Sequence, residues 1–175
     1  SYEKADRFWQ VVGETGIGYR FGKTKEERSN NKEQKTEDKV EKFTENAAEK
    51  ERQARIAALK KKISLTRIEF EFDRSNLTPE ARRGVEEVAH SLKELKNLDD
   101  SVRIRIEGHT DDEGEMKYNE WLSKNRANSV YKKLLELGID SGMIEKIGHG
   151  KTRPIATNET EEGKAQNRRV EIVVE

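Results

Sequence analysis

Along this chain, apolar residues alternate with charged ones in short stretches and recur at helical spacing in longer ones. Ile68, Phe70 and Phe72 alternate with Arg67, Glu69 and Glu71. That is the period of a strand with one buried face, and it predicts a first strand over 68–72. Thr78-Pro79-Glu80 reads as a helix start: a hydroxyl cap, a proline in the first turn and an acid near the positive end of the helix dipole. Val85, Val88, Ala89, Leu92 and Leu95 then share one face. In a second strand, 102–107, Val102, Ile104 and Ile106 point inward and Arg103, Arg105 and Glu107 outward. A helix over 116–137 follows, stopped by Gly138. The pattern closes with a short strand near 144–148, a long polar loop to Gln166, and a last strand. There Val170, Ile172 and Val174 alternate with Arg169, Glu171 and Val173, which puts Arg169 on the solvent face.

Strands with one apolar face need helices on that face only. The fold class expected is α/β (α+β): a two-layer sandwich of a mixed sheet with helices on one side. Right-handed crossovers put the loops after Phe72 and Glu107 at the same sheet edge, making Asp73 and Asp111 neighbours. Ligands commonly bind at such strand ends.

The first 62 residues follow other patterns. Within 1–22, Ile17, Tyr19 and Phe21 alternate with small or polar residues, as in the last strand of an outer-membrane barrel, whose large apolar groups meet lipid. An ordinary hairpin strand or a tail is the alternative. Residues 23–62 hold 13 Lys/Arg and 9 Asp/Glu. Their first half has almost nothing to bury and is expected to be disordered. From about Asp38 the residues favour helix, which makes a charged, partly helical spacer. Val40, Phe43 and Ala47 form a short seam that leaves a homo-oligomer open. A globular domain is expected over 63–175.

Composition narrows the partners. With 31% hydrophobic and 40% charged residues, one core cannot fill 175 residues, so a domain plus a solvated segment is expected. Zero net charge argues against nucleic acid, since phosphate binding needs a basic excess. No apolar run reaches the ~18 residues of a membrane helix. The chain has no cysteine, which excludes disulfides and a lipidated cysteine. Its start at Ser1, without methionine or signal peptide, suggests a fragment or processed product.

The candidate chemistry centres on Gly108-His109-Thr110-Asp111 and on Arg126. At about 100° per residue Arg126 lies about 40° from Leu122, inside the stripe formed with Val130, Leu134 and Leu137. A guanidinium there costs several kcal/mol in desolvation unless an anion meets it. Asp111, in the strand-to-helix loop that feeds this helix, is one candidate partner. A carboxylate and a guanidinium held together grip a zwitterion, ammonium on one and carboxylate on the other. His109 is expected to be a hydrogen bonder that orders the loop.

The motifs carry a family resemblance. They are Phe70-Glu71-Phe72-Asp73 with Leu77-Thr78-Pro79; Gly108-His109-Thr110-Asp111 with Gly114; Asn119 with Leu122-Ser123, Arg126-Ala127 and Val130; Gly138-Ile139; Gly148-His149-Gly150; and Asn167-Arg168-Arg169-Val170-Glu171. In this order, from about 65 to 175, they resemble the OmpA-like C-terminal domain, the peptidoglycan-binding module of outer-membrane protein A and the peptidoglycan-associated lipoprotein. The resemblance implies a non-catalytic, cofactor-free module that holds the diaminopimelate of the peptidoglycan stem peptide. Asp111 would take the ammonium and Arg126 the carboxylate, with Thr110, Asn119, Arg168 and backbone amides around Asp73 and Ser75 completing the pocket. The implied setting is the periplasmic face of the outer membrane, tethered to the cell wall. Flagellar-motor stator proteins share the module and are the alternative.

Other chemistries fit less well. Ile17 stands where a phosphate loop requires glycine. His90, His109 and His149 lack metal-ligand spacing, and Leu122 occupies the position at which a calcium loop needs glutamate. Glu107 and Asp111 could be offered as a glycosidase pair, but no apolar pocket for the acid is evident. A purely structural spacer leaves the pocket residues unexplained.

Overall fold

A computed structural model describes residues 25–175, so the barrel strand expected within 1–22 lies outside it. Helix α1 (Lys25–Leu65) leads into strand β1 (Arg67–Glu69), then α2 (Pro79–Leu98), β2 (Ile104–Gly108), α3 (Met116–Glu136), β3 (Ile144–Gly148), α4 (Glu161–Asn167) and β4 (Arg169–Val174). The four strands form one mixed sheet in the order β1-β4-β2-β3. β4 runs antiparallel to both β1 and β2, and β3 parallel to β2. The two-layer α/β class expected from the sequence is the one observed.

The chain divides into two units after Glu51. Disorder was expected up to about Asp38; instead α1 begins at Lys25. Glu, Lys, Gln and Arg are good helix formers, so a helix needs no apolar face here. Val40 and Phe43 are exposed.

The second unit starts at Arg52 rather than at 63. Ile56, Leu59 and Ile63 recur on one face of α1 and are buried in the core, so these turns belong to the domain and not to a spacer. Arg52 Nε donates to the carbonyl of Leu98, the last residue of α2, at 3.1 Å, capping a helix end whose carbonyls lack partners. Arg55 pairs with Glu94.

On α2, the Thr78 hydroxyl accepts from Ala81 N at 3.1 Å, as the capping motif predicts. Val85, Val88, Leu92 and Leu95 are buried with Ile104, Ile106, Val170 and Ile172 of the sheet and Val130 and Leu134 of α3. Strand β1 ends at Glu69, short of the 68–72 expected. The chain turns at Asp73, whose φ is 54°, and Phe72 is exposed instead of inward. The polar loop expected before the last strand contains α4, capped by Thr160.

Gly108 fixes how closely α3 lies on β2. A Cβ there would stand 2.1 Å from the Ser123 carbonyl oxygen, and one at Gly148 would stand 2.7 Å from Lys124 N. The Ser123 hydroxyl accepts from Gly150 N at 2.9 Å. These two glycine motifs let helix backbone rest on strand ends, and so position the loop that follows β2.

Candidate functional site

That loop is buried where it leaves β2, with His109, Thr110 and Asp111 each under 5% exposed, and exposed over residues 112–115. His109 N donates to Arg169 O at 2.9 Å and Thr110 N to Gly150 O at 3.0 Å. The Thr110 hydroxyl donates to Asp111 O at 2.8 Å. Asn119 Nδ2 donates to Glu113 O at 2.8 Å and Gly114 O at 3.4 Å. Thr110 and Asn119 thus brace the two ends of the segment that carries Asp111.

Arg126 is 1% exposed. Its expected direct pairing with Asp111 is not observed. Nε donates to Arg74 O at 2.8 Å, Nη1 to His109 O at 2.8 Å and Nη2 to Glu71 O at 3.1 Å. Its carbon Cζ lies 5.5 Å from the centroid of the Phe70 ring. The reason is geometric: the planar fork meets the carbonyls of two converging loops, so backbone satisfies it before a side chain does. Burial pushes the guanidinium down to about 10, while the nearby Asp111 carboxylate acts to raise it. At neutral pH it is a cation touched, among the described residues, by neutral acceptors only, and three of its five N–H groups are used.

Asp111 pairs instead with Arg168, Oδ2 accepting from Nη1 at 3.1 Å with both side chains largely buried. Arg168 Nε is buried with no hydrogen-bond partner among the described residues. Asp73 comes to the same end of the sheet, where its carboxylate accepts from the Tyr118 hydroxyl. That hydrogen bond raises the phenol's pKa. Ser75 is half-buried in the same loop. Five of the seven expected residues (Asp73, Thr110, Asp111, Arg126 and Arg168) therefore join through direct bonds or the Arg126 field, with Asn119 as a brace.

Two expectations about neighbouring residues are corrected. Arg169 is 2% exposed, not a solvent residue: Nε donates to Glu171 at 2.7 Å and Nη2 to Arg153 O at 3.3 Å. The sheet face without helices is covered here by the loop after β3. Under the same loop Glu107 accepts from Arg105, His149 and Arg153. Burial works to raise the Glu107 carboxyl, but the hydrogen bonds and charges of Arg105 and His149 outweigh it and hold it below the usual range. His109 orders the loop through its backbone and not its side chain, both ring nitrogens being buried with no partner among the described residues. It stacks on His149 with ring centroids 5.2 Å apart. Burial, then the Arg169 charge, lowers its pKa to about 4.

A buried cation lacking a direct anionic contact, beside a carboxylate with a second arginine, offers complementary charges to a small zwitterion. Among the described residues no group of three His, Cys, Asp or Glu could hold a metal ion, and no helix is long and apolar enough to cross a membrane.

The fold and these residues define a known class. Residues 69–168 match the OmpA family, more than half of the chain, and the protein belongs to that family. It is 39% identical over 109 residues to the peptidoglycan-associated lipoprotein of Pseudomonas aeruginosa, covering 62% of each chain. It is 44% identical over 105 residues to outer membrane protein A of Bordetella avium, covering 60% of this chain and 52% of that protein. The chain therefore spans less than two thirds of either relative. The crystal structure of the peptidoglycan-associated lipoprotein from Burkholderia pseudomallei superposes with a TM-score of 0.59 at 29% identity, covering 65% of this chain and 93% of that one.

Proposed function

We propose that the domain binds peptidoglycan non-covalently, gripping the diamino acid of a stem peptide between Asp111 and the two arginines. The observation that carries this is Arg126, a buried guanidinium fixed by three backbone carbonyls with no direct carboxylate contact among the described residues. Its two remaining N–H groups and the unpartnered Nε of Arg168 suit a ligand carboxylate. Asp111 supplies the negative charge for the ligand's ammonium. The relatives, a peptidoglycan-associated lipoprotein and an outer membrane protein, support both the wall and the outer membrane as setting. The role proposed for the whole protein is a tether between outer membrane and cell wall, with this region in the periplasm and an N-terminal barrel as the membrane anchor.

We infer a binding module and not a hydrolase. Glu107 is tied up by Arg105, Arg153 and His149, and Asp111 already faces Arg168. Glu107, held below the usual carboxylate range, is not the acid of raised pKa that glycoside hydrolysis requires. Calorimetry with a free diaminopimelate-containing stem peptide tests the grip: saturable one-to-one binding is expected, and absence of binding at millimolar peptide would overturn it.

A further inference from the structure

Four of the nine large apolar side chains exposed among the described residues lie in two short segments joined by the Asp73–Tyr118 bond: Phe72, Met116, Tyr118 and Trp121. Trp121 is 58% exposed and Tyr118 43%. Three residues apart in the first turns of α3, they share a helix face. Their ring centroids are 5.6 Å apart, with planes inclined at 31°. An exposed aromatic cluster on the solvent side of a helix whose other face is buried in the core marks an interaction surface.

Its register to the grip is fixed. The Glu71 and Arg74 carbonyls both hold Arg126, and Asp73 between them holds the Tyr118 hydroxyl. One short loop thus sets both the buried cation and the orientation of the phenol ring. Through the Asp73–Tyr118 bond the aromatic pair adjoins the loop that holds Arg126, and the polar residues Asp73, Asn76, Lys117 and Glu120 are exposed in the same two segments.

We infer that Tyr118 and Trp121 form a stacking platform for a pyranose ring of the glycan strand that carries the gripped stem. A pyranose has an apolar C–H face and a rim of hydroxyls, and so matches aromatic faces bordered by polar groups. Reach agrees: Tyr118 precedes Arg126 by about 12 Å along α3, at ~1.5 Å per residue. An extended peptide of three or four residues spans about 10–14 Å at ~3.3–3.6 Å each. The inference rests on reading the site as a stem-peptide grip.

Calorimetry with two ligands tests it: the free stem peptide, and the same peptide joined to its disaccharide. Wild type is expected to bind the disaccharide-peptide about 3- to 10-fold more tightly, the effect of one aromatic contact. Trp121→Ala should abolish that advantage and leave free-peptide affinity unchanged, while Trp121→Phe should restore most of it. Equal affinity of wild type for both ligands, or an advantage that persists in Trp121→Ala, overturns the platform and leaves the grip standing. Failure of wild type to bind either ligand overturns the grip itself. A Trp121→Ala variant that dissociates in sedimentation while keeping the saccharide advantage assigns the surface to a second copy of the chain and overturns the inference.

Discussion

Arg126 tolerates burial because three carbonyls from two loops converge on its donors. Removing it strips all three at once. Arg126→Ala is expected to lower stability by about 2–5 kcal/mol in urea denaturation. Arg126→Lys should recover little of this, since a point charge cannot reach three divergent acceptors. Asp111→Ala should cost less, because it removes one hydrogen-bonded ion pair and not three buried hydrogen bonds. The reverse ranking would show that a direct Asp111–Arg126 contact dominates. His109 gives a pH signature. Its folded pKa of about 4 lies below the ordinary 6.5, so between these values the unfolded chain binds more protons, and stability falls as pH drops from about 7 to 4. His109→Phe keeps the ring without the titration. The loss of stability between pH 7 and pH 4 should then shrink by up to about 3 kcal/mol; an unchanged loss would clear His109 of the effect. Arg126 was legible because a cation inside an apolar stripe has no solvent reading. Arg169 was not, because strand alternation assigns a residue to a face without revealing that a loop covers that face.

Among the elements, the end of α1 differs most from its sequence signature. Its charge run suggests a solvated spacer, and only Ile56, Leu59 and Ile63 mark the turns that join the core. Burying an Ile or Leu contributes about 1.5–3 kcal/mol. A fragment beginning at Arg52 should match the full chain in its unfolding midpoint. One beginning at Ile63 loses Ile56 and Leu59 and should be destabilised by about 3–6 kcal/mol. Equal midpoints for the two fragments would mean that these turns dock without holding the fold. The capped start of α2 and the Gly138 stop of α3 were legible because caps and left-handed turns depend on local chemistry. Helix α4, with seven residues, is too short to show a period. Its Thr160 cap accepts from the N–H of Gly163, whose Cβ would meet Thr157 O at 2.0 Å.

At the scale of the whole molecule, the charged helix α1 leads into a domain whose strand ends present two arginines and one carboxylate. The proposed function requires attachment to the intact wall through that constellation without cleavage of the wall. Co-sedimentation with purified sacculi measures both requirements. Wild type is expected to pellet with the sacculi while the supernatant stays free of muropeptides over hours. Asp111→Asn, which keeps the shape and removes the charge, should lose at least tenfold in affinity, since a charged hydrogen-bonding partner contributes about 2–5 kcal/mol. Wild-type-like sedimentation of a folded Asp111→Asn domain, or steady release of soluble muropeptides by wild type, would contradict the account.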